Sequence, residues 1–104
     1  MDNSTSRREE RRIRDRCLEL GIPLLKLSPD LIDPRVAARV DLDLVRRLRA
    51  IPISEEDGQV TVAMADPTDD EAISRLAEAL GCAVFPVFSS LADIETGLKR
   101  LQPG

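Results

Sequence analysis

Between Val60 and Leu76 the apolar spacing of the chain changes period at a single dipeptide, Asp66-Pro67. Before it, Gln59-Val60-Thr61-Val62-Ala63-Met64-Ala65 alternates as a half-buried strand does; after it, Ile73, Leu76, Ala77 and Leu80 recur at helical spacing up to Gly81. The period of two places Val60, Val62 and Met64 on one face. A second apolar run, Ala50-Ile51-Pro52-Ile53-Ser54, precedes the acidic turn Glu55-Glu56-Asp57-Gly58, and the pair reads as a hairpin. Pro52 cannot donate to a ladder, so its strand is an edge or holds the proline on a non-bonding side. Ala83-Val84-Phe85-Pro86-Val87-Phe88 is a third strand, and Ser89 or Ser90 caps a last helix carrying Leu91, Ile94, Leu98 and Leu101. The sequence thus predicts an α+β fold: strands at 50–54, 59–65 and 83–88, helices at 69–80 and 91–101, in the order β-β-α-β-α.

Helices precede this unit. Residues 1–6 are polar and read as a mobile tail. Arg7 to Leu20 reads as a helix with Gly21 as its C-cap. Ile22 to Leu27 is an extended crossing, and Ser28-Pro29-Asp30 a turn. Asp33-Pro34 opens another helix, the acid at the N-cap and proline at the first helical position. Its apolar spacing runs to Arg49, with a break near Asp41 to Asp43 where either acid could cap a separate short helix. The expected domain spans 7–101, with 102–104 a tail or linker.

A strand feeding a helix is also where many proteins hold phosphate, on free N–H groups at the positive end of the dipole. Here Thr68-Asp69-Asp70-Glu71 fits a capping box, with Thr68 as N-cap and Glu71 reaching back. Asp69, Asp70 and Glu71 then fill the anion site with carboxylates, and a phosphate would meet their repulsion. The competing reading is a divalent cation held by Asp66, Asp69 and Asp70.

The inventory excludes much else. The chain has 0 His, 0 Trp and 0 Tyr, which removes histidine-based nucleophile systems and histidine metal sites. Its five glycines are isolated, so no Gly-rich phosphate loop exists. No catalytic residues, cofactor or metal are expected. No apolar run approaches a membrane span of roughly 18 residues, and the N-terminus has no apolar core of a secretory signal. Cys17 and Cys82 lie far apart, as in a reduced cytoplasmic chain. Residues 1–16 carry six Arg against four acids, and the other 88 carry nine basic and fifteen acidic groups. An acidic body does not suit nucleic acid. The Arg-rich head reads as a solvated helix laced with internal ion pairs.

The succession Leu20-Gly21-Ile22-Pro23-Leu24-Leu25-Lys26-Leu27, Ile32-Asp33-Pro34, Ala50-Ile51-Pro52-Ile53 and Val60-Thr61-Val62-Ala63-Met64-Ala65-Asp66-Pro67 resembles the N-terminal domain of type II secretion and type IV pilus assembly ATPases. Gly81 to Phe88, followed by Ile94 in a last helix, is similar to that family too. The last helix departs from the pattern in lacking an aromatic near its end and in carrying Gly97. The resemblance implies a non-catalytic docking module that ties a motor to the cytoplasmic part of an inner-membrane assembly factor, so cytoplasmic and peripheral to that membrane only through its partner. The motor's G-x-x-x-x-G-K-[ST] loop does not occur in these 104 residues. Some relatives bind cyclic di-GMP through a motif beginning Arg-Leu-Gly; this chain has Leu20-Gly21 without the arginine, so sensing is the alternative. Arg46, Arg47 and Arg49 form the candidate partner-binding cluster, although their place at a helix end also suits the dipole.

Overall fold

Gln59–Met64 forms the middle strand (β2) of a three-stranded sheet. The computed structural model describes residues 3–101, with side chains from residue 7. Ala50–Glu56 (β1) lies antiparallel to β2 and Ala83–Phe88 (β3) parallel to it. The helices are Asn3–Leu20 (α1), Pro34–Ala37 (α2), Leu42–Leu48 (α3), Asp70–Leu80 (α4) and Leu91–Leu101 (α5), with a 3-10 turn at Pro29–Leu31. The α+β class and the β-β-α-β-α order are as the sequence indicates.

The hairpin is closed by the Glu56–Gln59 pair, with Asp57 at φ 52° and Gly58 at φ 76°. Two consecutive positive φ values make the tight turn whose twist matches that of paired strands. The acidic triplet is therefore divided: Glu55 and Glu56 extend β1 beyond the expected Ser54, and Asp57 turns. β1 is an edge strand, as Pro52 requires. The register slips between Pro52 and Ser54, and the Ile53 carbonyl accepts the Asp33 N–H at 2.8 Å. At the other edge, Phe88 donates to the Pro23 carbonyl at 2.9 Å and accepts from the Leu25 N–H at 2.8 Å. Backbone groups alternate sides along a strand, so Pro86, two residues earlier, also turns its nitrogen outward.

β2 is buried on both faces. Val60, Val62 and Met64 point one way and Ala63 the other, all within 1% of full burial. Ala63 pairs with Ile51, and α5 lies over Ile51. A Cβ on Gly97 would stand 2.8 Å from Ile51 Cδ1 and 3.1 Å from Ile32 Cδ1. The helix continues through Gly97 because the missing side chain lets it sit close on the sheet. Arg39 ties the far ends together, pairing with Glu55 of β1 and donating to the Leu80 carbonyl at the end of α4 at 3.1 Å.

Upstream, two expectations change, the tail over 1–6 and the helical reading of Arg49, and the alternative of a separate short helix after the break at Asp41 to Asp43 holds. Helical backbone begins at Asn3, where the sequence suggests a tail over residues 1–6. Residues 1–2 and 102–104, including the expected linker, lie outside the described residues. The helix opened by Asp33, whose carboxylate accepts the Arg35 N–H at 3.0 Å, ends at Ala37. A separate α3 follows Asp41, whose side chain makes no cap hydrogen bond. α3 stops before Arg49, which takes a left-handed conformation, φ 52° and ψ 54°. With Ala50 already in β1, the chain has one residue in which to reverse.

Candidate functional site

The corner after β2 is built differently from a Thr68 capping box. Asp66, two residues before Thr68, accepts both its N–H at 3.0 Å and its hydroxyl, an Asx turn that takes the threonine out of the capping role. Asp69 caps α4 instead, accepting the Ala72 N–H at 3.2 Å. Glu71 turns to Arg75 at 3.5 Å and does not reach back. The electrostatic consequence is unchanged, since Asp69, Asp70 and Glu71 still occupy the helix start. The three aspartates named for a cation are not gathered: among the described residues no group of three or more His, Cys, Asp or Glu is placed to hold a metal.

The first serine after β3 anchors and the second caps. Ser89 is buried and donates to the Leu25 carbonyl at 2.9 Å, whereas Ser90 accepts the Asp93 N–H at 3.1 Å. The first N–H of α5, at Leu91, is taken by the Glu10 carboxylate of α1 at 3.1 Å. Glu10 is thus a cap supplied from 81 residues away.

Between α1 and the body lies a cleft of about 730 Å³, reached by Arg7, Arg47 and Arg49 and by five acids, Glu9, Glu95, Glu10, Asp66 and Asp69. The last three carboxylates each accept a hydrogen bond from backbone within the molecule. Ile13, Leu48 and Leu91, each half-buried, give it an aliphatic floor. Of the predicted cluster, Arg47 and Arg49 line this cleft and Arg46 does not. All three are exposed, and none makes an ion pair among the described residues. Neighbouring helix positions are turned about 100° apart, which separates Arg46 from Arg47. Arg49 joins the cleft through its left-handed backbone, a conformation that glycine adopts at less cost.

Sequence reasoning did not find the cleft. It joins α1, the end of α3, the Asp66 corner and the start of α5, and no spacing rule links these. Nor does the Arg-rich head behave as expected: the only ion pair within α1 among the described residues is Arg16–Glu19 at 3.9 Å. At the foot of α1, Cys17 is fully buried. Burial, and secondarily the charge of Asp66, push its thiol pKa up.

A family model, the MshEN domain, matches residues 20–104. The chain belongs to the MshEN domain family. The match begins at the last residue of α1, so this MshEN domain carries nearly all of its first helix ahead of the matched region. The type IV pilus assembly ATPase PilB of Thermus thermophilus is 34% identical over 101 residues, covering 95% of this chain and 11% of that protein. The chain therefore spans about a tenth of the length of that relative. Among solved structures, MshE with cdg superposes with a TM-score of 0.77 at 24% identity, over 86% of this chain and 66% of that one. The N-terminal domain of XpsE gives 0.74 at 25% identity, over 90% and 67%. The expected kinship with N-terminal domains of secretion and pilus ATPases is borne out.

Proposed function

We propose that this MshEN domain is a non-catalytic docking module that holds a motor or signalling protein to the cytoplasmic part of an inner-membrane assembly factor. The observation that carries the reading is the exposed arginine wall of the cleft, Arg47 and Arg49, with Arg46 beside it on an otherwise acidic body. Family membership supports it, since the relatives are ATPases of which this chain matches only a front portion. Complementary charge steers encounter and sets specificity more than it adds affinity. The contact should be moderate and should weaken with salt, because exposed charges are screened beyond about 8–10 Å. The domain binds no cofactor in this role and reaches the membrane only through its partner.

A second reading, a cyclic di-GMP sensor, is favoured by the likeness to MshE solved with cdg. Against it stand the missing Arg-Leu-Gly and the carboxylates at the start of α4. Calorimetric titration separates the two. Docking predicts binding of the purified cytoplasmic domain of an inner-membrane assembly factor, lost in an Arg46/Arg47/Arg49→Glu triple variant, and no dinucleotide binding. Micromolar binding of cyclic di-GMP without binding of that domain would reverse the assignment.

A further inference from the structure

α1 makes little use of its own dipole. It has no acidic residue in its first turn and no basic residue in its last, whereas α4 and α5 both begin with acids and α5 ends with Lys99 and Arg100. Like charges also recur four residues apart, at Arg7/Arg11, Arg8/Arg12 and Arg12/Arg16, a spacing that destabilises a helix. Glu10, which could offset them, is turned to Leu91, and Asp15 pairs with neither Arg11 nor Arg12 among the described residues. A helix arranged for its own stability would not look like this.

The spacing shows what the arrangement suits. Arg7, Arg11, Arg14 and Leu18 follow one another by 4, 3 and 4 residues, which places them in one stripe about 16 Å long. All four are exposed, Leu18 to 61%. Arg7 also lines the cleft with Arg47 and Arg49, so the stripe continues the arginine wall of the body. We propose that this stripe is the seat of an acidic helical segment of the partner protein, lying along α1 with carboxylates against Arg7, Arg11 and Arg14 and an aliphatic side chain against Leu18. The inference rests on the docking reading and specifies its partner. An acidic protein segment suits the stripe better than an anionic membrane, because Asp15 and Glu19 lie beside Leu18 and would be driven from lipid headgroups.

The test uses the 104-residue chain and two fluorescein-labelled helical peptides of identical composition. One carries Glu at the matching 4, 3, 4 spacing with a terminal Leu, and the other has the same residues scattered around the helix. Anisotropy should show the matched peptide binding more tightly than the scattered one, with affinity falling as salt rises. Arg11→Ala with Arg14→Ala should weaken it by about fivefold or more, and Arg8→Ala with Arg12→Ala, on a different face, by less than about twofold. All four changes leave exposed alanines in a helix, so circular dichroism should show both variants folded. Equal loss in the two double variants would mean diffuse attraction without register and would overturn the proposal. Binding to phosphatidylglycerol vesicles with no preference between the peptides would overturn it in favour of lipid. If neither peptide binds while the assembly factor's cytoplasmic domain does, the stripe falls and docking stands; loss of that domain's binding as well removes both.

Discussion

The first and last helices of this chain follow opposite rules. α5 buries Ile94, Gly97 and Leu98 and carries an acid in its first turn and bases in its last. α1 is longer, at 18 residues against 11, yet Cys17 is the one fully buried side chain described in it. Its one side-chain hydrogen bond to the body among the described residues is from the Leu91 N–H to the Glu10 carboxylate. One helix is held by packing and would be chosen for stability alone. The other is held at its foot and at one capping contact, and its charges favour something outside the molecule. Burial marks what the fold needs, while a breach of local charge rules marks what the fold can spare for recognition.

The contrast should appear first in cavity-making substitutions. Ile94→Ala in α5 should cost about 2–5 kcal/mol in urea unfolding, and Ile13→Ala in half-buried α1 less than about 1 kcal/mol. Comparable losses would erase the distinction. Overpacking sharpens it: Gly97→Leu should cost about 1–3 kcal/mol by pressing on Ile51 and Ile32, despite the better helix propensity. The two unlike caps come next. Asp69→Ala should lower stability by about 0.5–2 kcal/mol. Thr68→Ala should do less, because its hydroxyl serves the Asx turn and not the helix. Glu10→Ala should cost only about 0.3–1 kcal/mol globally, while speeding hydrogen exchange at the Leu91 amide.

The smallest effect concerns the thiols. Half-exposed Cys82 should be alkylated before buried Cys17, and Glu10→Ala should raise the Cys17 rate without changing that of Cys82. A Cys17 rate equal to global unfolding in both proteins would show α1 to be as firmly held as α5. Because the folded thiol pKa is raised, its contribution to stability is present below the ordinary thiol value of about 8.5 and is lost as pH rises through the raised folded value. Stability should therefore decline on the alkaline side, and Cys17→Ala should reduce that slope.

Much of the sheet was legible because its punctuation is unambiguous. Gly81 and Ser90 bracket β3 and the start of α5, and both elements fall on 83–88 and 91–101 as the spacing predicts. β1 runs longer than its apolar pattern since Glu55 and Glu56 extend the ladder on exposed backbone, which alternation cannot register. The cap moved from Thr68 to Asp69 because a neighbour, Asp66, competes for the hydroxyl, and competition between side chains is not a spacing signal. The arginine cluster was visible as composition, but its division between cleft and open surface depends on helix rotation and on the left-handed turn at Arg49. The cleft itself depends on where α1 lies, and α1 carries almost no apolar code to say so.

The outward proline of β3 has a consequence for crowded conditions. An open strand edge is a template on which another chain can add a strand, and repeated addition builds fibres. Pro86 removes a donor from that edge, and the segment around Leu24 already occupies its end at Phe88. At the opposite edge Pro52 and the slipped register break the ladder again. Strand-by-strand growth is thus interrupted at both ends of the sheet, so many copies can be gathered in one place without the sheets fusing.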